Sequence, residues 1–188
     1  SETEITVQVL LNGHEVSVSQ SVRQLKFISL SMHETAVKSL TADASPEHLA
    51  TRDDQADRLY AMINRSFIRT LGRLDEVDAL GYTRPRLFEL WETTRELERV
   101  ADHAEGIAAT RPVVDDSVPQ RALDEVQTFG QQARQLVSAA VSVVVGDTGT
   151  ETAHETLVKR DNLCEEIDTY VDSSGTDQNR SQLRPVLH

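Results

Sequence analysis

The chain has 188 residues, of which 4% are aromatic, with 8 glycines and 5 prolines; this allows one domain or two small ones and favours helices over a β-sandwich. The lone cysteine, Cys164, excludes a disulfide framework and a thiolate zinc site, and fits a reducing cytoplasm. The formal charge is −12, and among nineteen basic residues only Lys26, Lys38 and Lys159 are lysines. Such a surface argues against direct nucleic-acid binding, which needs clustered positive charge, and suits a halophilic host.

Residues 1–18 do not read as helix. Ile5, Val7 and Val9 alternate with polar residues, Asn12-Gly13 is a hairpin signal, and Val16 and Val18 alternate again, so a short extended arm or linker is expected. Ser19 or Ser21 can cap a first helix with the stripe Val22, Leu25, Ile28, Met32, Ala36 and Leu40. Its His33 reads as a surface or satisfied histidine rather than a ligand. Ser45-Pro46-Glu47 restarts the chain, and a second helix runs to about Leu80, where Gly81 stops it. A third starts at Arg84-Pro85 and continues to about Ala109. Arg111-Pro112 through Asp116 breaks the chain into halves.

The fourth helix, from about Ser117 to Val145, is apolar nearly all round at its end and should lie deep in the assembly. Even there, Val137 to Val145 is far too short to cross a bilayer, so no membrane insertion is expected. After the turn Gly146-Asp147-Thr148-Gly149 a fifth helix runs to about Asp172. A shift of 108 residues aligns Leu49 with Leu157, Asp53 with Asp161, Ala56 with Cys164, Asp57 with Glu165 and Ile63 with Val171, an internal repeat. Arg84-Pro85-x-Leu87 recurs as Arg184-Pro185-x-Leu187, the start of a sixth helix. The expected architecture is all-α, with a first three-helix bundle over residues 19–111. A second bundle over residues 112–188 lacks most of its last helix, and its groove is open or completed by a second copy.

Several acids do not keep to the water side. On the third helix the apolar stripe is Leu87, Leu90, Trp91, Leu97, Ala101, Ala104 and Ala108. Glu98 lies about 60° and Asp102 about 100° from its axis, with Glu105 about 40° away as a further candidate and His103 pointing off the stripe. On the second helix Asp53 lies about 40° and Asp57 about 80° from the corresponding axis, whereas Asp54 faces away. Two i, i+4 acid pairs on adjacent helices converge if those helices pack face to face. Like charges about 5 Å apart repel by roughly 3 kcal/mol at an effective dielectric near 20. The cluster therefore needs protons, a cation, or the nearby Arg52, Arg58, Arg95 and Arg99. Spacing leaves metal and arginine equally open.

The string Leu97-Glu98-Arg99-Val100-Ala101-Asp102-His103-Ala104, preceded by Arg52-Asp53-Asp54-Gln55-Ala56-Asp57-Arg58, resembles the PhoU family of phosphate-uptake regulators, over roughly Gln20 to Arg184. The resemblance implies acid pairs that bind metal clusters: Asp53 with Asp57, Glu98 with Asp102 and, through the repeat, Asp161 with Glu165. Such a donor set suits iron, magnesium, manganese or calcium, with zinc less natural, and the resemblance favours iron. It also implies a cytoplasmic module docking on the ATPase subunit of a phosphate transporter or on a sensor kinase, and a homodimer is plausible from the apolar surface of the long helices. Similar archaeal chains carry an AbrB-type DNA-binding domain ahead of this region, which makes the present chain a fragment of a longer protein in this reading.

Catalytic alternatives have fewer residues to rest on. A ferritin-like di-metal oxidase needs paired Glu-x-x-His strings, and only Glu151 to His154 has that form. No nucleophile elbow, phosphate-cradling glycine loop or Cys/His pairing is present. The reading is a non-catalytic helical binding module with a carboxylate metal site. Its alternatives are the oxidase and a structural adaptor without metal.

Overall fold

A computed structural model describes residues 18–41, 48–72, 81–114 and 118–173. Among them the chain is all-α, without strands. α1 spans Val18–Ser39, α2 Leu49–Gly72 and α3 Arg84–Thr110; a 3-10 turn, Arg111–Val113, leads on to α4, Gln120–Val144, and α5, Thr150–Ser173. The expected N-terminal arm, the Ser45-Pro46-Glu47 restart, the last turns of the second helix before Gly81 and the Arg184-Pro185 start of a sixth helix lie outside the described residues.

α1 is the axis of the fold and packs against α2, α3 and α4. Its stripe works as the periodicity predicts: Val22, Leu25, Met32 and Ala36 are wholly buried, and Ile28 and Leu40 nearly so. Burying each large side chain contributes about 1.5–3 kcal/mol. Opposite stands α3, with Leu87, Leu90, Leu97, Ala101, Ala104 and Ile107 buried. Small residues within both stripes, Ser29 and Ala36 on one and Ala101 and Ala104 on the other, let these two helices approach closely. Thr94 is tolerated there because its hydroxyl donates to the Leu90 carbonyl at 2.7 Å. At the start of α3, Thr83 accepts from the Arg86 N–H at 3.3 Å and Pro85 occupies the first turn, where its missing N–H costs nothing.

The core is continuous into α4, through Val118, Ala122, Leu123, Val126, Val141 and Val145. The end of α4 is less deep than its composition predicts. Leu136, Val137, Val143 and Val144 are half-buried and Ala140 is exposed, because α4 rests on α1 along one face and on α5 along another, and α5 is itself thinly covered. Leu163 is the only residue of α5 that is buried. The internal repeat therefore holds in sequence but not in environment: Leu49, Ala56 and Ile63 are core, while Leu157 and Cys164 are exposed.

The turn between α4 and α5 is tied back to α1. Arg23 donates from Nε and Nη2 to the two carboxylate oxygens of Asp147, at 3.2 and 2.6 Å. Gly146 precedes Asp147 with φ +84, a conformation that costs glycine nothing. A Cβ there would meet only Arg86 Nη2, at 3.9 Å, so Gly146→Ala isolates backbone strain from crowding. It is expected to cost about 1 kcal/mol in urea unfolding, with an unchanged m-value.

Candidate functional site

The register between α2 and α3 is set by an aromatic clasp at one end. Phe67 stacks on Trp91 at 4.8 Å between ring centroids, Phe88 leans on both, and the Trp91 indole N–H donates to Asn64 Oδ1 at 2.9 Å. Because the helices run antiparallel, seven residues back from Asn64 and seven on from Trp91 bring Asp57 level with Glu98. Eleven residues in each direction bring Asp53 level with Asp102. Seven and eleven residues are close to whole numbers of helical turns, so all four acids return to the face that carries the clasp.

The four carboxylates feel one another. Partial burial is the main cause that raises Asp53 above the ordinary carboxylate range, followed by the charges of Glu105, Asp57, Asp102 and Asp54. Glu98 is raised likewise, by burial first and then by Asp102, Asp57 and Asp53, with Arg99 alone pulling the other way. Asp53 and Glu98 are half-buried; Asp57, Asp102, Glu105 and Asp54 are exposed. The residues nearest the stripe axes thus stand deepest, except Glu105, which faces solvent yet heads the charges acting on Asp53.

The arginines near this face form their hydrogen bonds and ion pairs with other groups. Arg52 donates to the Ser31 hydroxyl at 2.5 Å, and Arg58 reaches Asp54 at 4.0 Å. Arg95 pairs with Glu92 and Glu96 and lies over the Trp91 ring, while Arg99 pairs with Glu96 at 3.0 Å. The donor chemistry left behind, oxygen ligands in mutual repulsion with little positive charge, fits a hard cation. The spacing is looser: among the described residues no three His, Cys, Asp or Glu side chains stand close enough together to hold one ion. A bound cation would draw Asp53 and Glu98 together with Asp57 and Asp102.

Asp161 and Glu165 do not join this face. Both are exposed on α5, and Asp161 accepts from the guanidinium of its neighbour Arg160 at 2.7 and 3.0 Å. Glu151 and His154, the single Glu-x-x-His string, are also exposed, so that string does not enter a helical core as an oxidase requires.

A second feature was not foreseen from the sequence. A cavity of about 390 Å³ lies between α1, α3, α4 and α5, with His33, His103, Asp102, Gly130 and Arg134 on its walls among apolar side chains. His33 is satisfied, as expected, but as a largely enclosed residue: its Nδ1 is 3.1 Å from Arg134 Nη1. Burial, then the charges of Arg134 and His103, push the imidazole down to about 4. The legible signal was Gly130, a glycine inside a helix. A Cβ there would stand 3.3 Å from Val37 Cγ2 and 3.4 Å from both Arg134 Nη1 and His33 Cε1, so only glycine lets α4 come this close to α1 without displacement.

The fold and its acid face define an all-helical module among the described residues. Residues 22–110, which hold nearly all of α1 and the whole of α2 and α3, match the family model described as PhoU domain. No curated protein matches the chain. No solved structure matches it either.

Proposed function

We propose that the chain regulates phosphate uptake as a non-catalytic, cytoplasmic helical module that acts through protein partners and holds metal ions on the acid face of α2 and α3. The observation that carries this reading is the PhoU-domain match over residues 22–110, the segment that bears the acid face. Asp53, Asp57, Glu98 and Asp102 supply the first ligand set and Asp161 with Glu165 a second. Iron is the favoured ion, with magnesium, manganese and calcium as further candidates. The two bundles of the proposal divide at residues 111 and 112.

The partner is the ATPase subunit of a phosphate transporter or a sensor kinase, and the clasp end of α2 and α3 offers the docking surface. Ile68, Leu71 and Phe88 are exposed there beside Trp91, a patch that a partner or a second copy of the chain would cover. No helix among the described residues is long and apolar enough to cross a membrane, so contact with the transporter falls to a surface of this kind. A structural adaptor without metal is the second reading, favoured by the separation of the carboxylates.

Deletion of the gene is expected to raise phosphate uptake when phosphate is plentiful, measured with radiolabelled phosphate, and re-expression of the chain should restore the restraint. Unchanged uptake would remove the regulatory role. Elemental analysis of protein purified without chelator separates the two structural readings: near-stoichiometric iron or manganese supports the metal-holding module, and none supports the adaptor.

A further inference from the structure

We infer that the cavity between α1, α3, α4 and α5 binds a small organic monocarboxylate with an apolar body. Its volume of about 390 Å³ is that of a small-molecule pocket, and most of its wall is apolar: Leu30, Val100, Ile107, Val126, Phe129 and Ile167. The polar groups gather at one place. Arg134 projects from α4 against His33 of α1, with His103 and Asp102 on the neighbouring wall from α3.

Arg134 is a partly buried cation without a carboxylate partner among the described residues. Glu34, the acid whose charge favours it, has its own carboxylate bound by Lys38 at 2.5 Å. Burial of such a charge is costly until an anion meets it. A guanidinium only donates, so His33 Nδ1 must accept from it, and the proton of the neutral ring sits on Nε2 as a further donor. A planar carboxylate matches the remaining guanidinium N–H fork in two parallel bonds, and an aliphatic or aromatic body fills the rest of the cavity.

Charge decides against phosphate. The cavity offers one guanidinium, and the carboxylate of Asp102 also lines it, in a chain of formal charge −12. A dianion would need more positive charge than this, whereas a monoanion with a large apolar surface draws most of its affinity from burial. The site shares Asp102 with the proposed metal face, but Asp53, Asp57 and Glu98 do not line it, and the carboxylate is held by Arg134 of α4.

The test titrates the full 188-residue chain with octanoate, 1-octanol and inorganic phosphate by calorimetry, with imidazole ¹⁵N shifts of His33 and His103 as the local readout. Octanoate is expected to bind one-to-one and move both imidazole signals, octanol to bind at least tenfold more weakly, and phosphate neither to bind nor to compete. Arg134→Gln should weaken octanoate about tenfold or more, as loss of a charge-assisted bond implies. Ala133→Leu, which fills the cavity while keeping the guanidinium, should abolish binding even if Arg134→Gln does not fold. Equal binding of octanol, undiminished binding by Ala133→Leu, or displacement of octanoate by phosphate overturns the inference.

Discussion

Double replacement of Asp53 and Asp102 by asparagine is expected to lower cation affinity about a hundredfold and, at the same time, to raise the melting temperature of the metal-free chain. Both effects follow from one cause. Asp53 and Glu98 have their protons held more tightly in the folded state than in the unfolded one, through burial and the neighbouring carboxylates. The sign is fixed by that direction: the folded chain binds more protons, so these groups favour folding at low pH and oppose it increasingly as pH rises through their folded values. At neutral pH the face is therefore a source of strain that a bound cation would relieve. Asparagine removes the charge and keeps the shape, so the metal-free protein gains while ligand charge is lost. Calorimetric titration with ferric and manganous ions, and thermal unfolding with and without chelator, measure the two halves separately. If the variant keeps its metal content and melts no higher than the parent, these acids only solvate the surface.

What could be read in advance was what a single helix decides. The stripe of α1 and the rank of Asp53 over Asp57 and of Glu98 over Asp102 follow from local chemistry and a rotation of 100° per residue. Each reappears in the burial pattern. What could not be read depends on which helix lies across which. His103 points off the stripe of its own helix, yet α4 crosses there, and the residue lines a cavity. His33 is enclosed because Gly130 lets α4 settle against α1. The repeat predicted equal environments for Ala56 and Cys164, but Ala56 is wholly buried on α2, which packs on α1 and α3, while Cys164 stays exposed on α5, whose main packing among the described residues is on α4. The competing fates of the acids were likewise undecidable from spacing, since Arg52 lies as near to Asp53 in sequence as to anything. Only the packing of α2 on α1 shows it reaching Ser31 instead.

Lowering the pH from 7 toward 4 is expected to cost the protein about 3 kcal/mol through His33 alone. The ring is pushed from its ordinary value near 6.5 to about 4 in the folded state, so between those values the unfolded chain carries a proton that the folded one refuses. The unfolded state then binds more protons, and stability falls as pH falls, by up to about 1.4 kcal/mol per unit at the steepest. The groups facing the ring explain the refusal. Arg134 on α4 donates to Nδ1, and protonation would set one N–H against another beside a fixed positive charge. His103 on α3 adds repulsion, and the nearby carboxylates of Glu34 on α1 and Asp102 on α3 are not among the charges that act on the ring. Asp53 and Glu98 work in the opposite sense over the lower part of the range, gaining protons in the folded state. The net loss should therefore be steepest between pH 6.5 and 5 and flatten below. His33→Gln, neutral throughout and able to accept from Arg134, should remove the steep part and leave the shallow opposing slope of the acids exposed. Urea unfolding of both proteins at pH 7, 6, 5 and 4 measures this difference; parallel stability curves would mean that His33 titrates freely and that α4 does not close over it in solution.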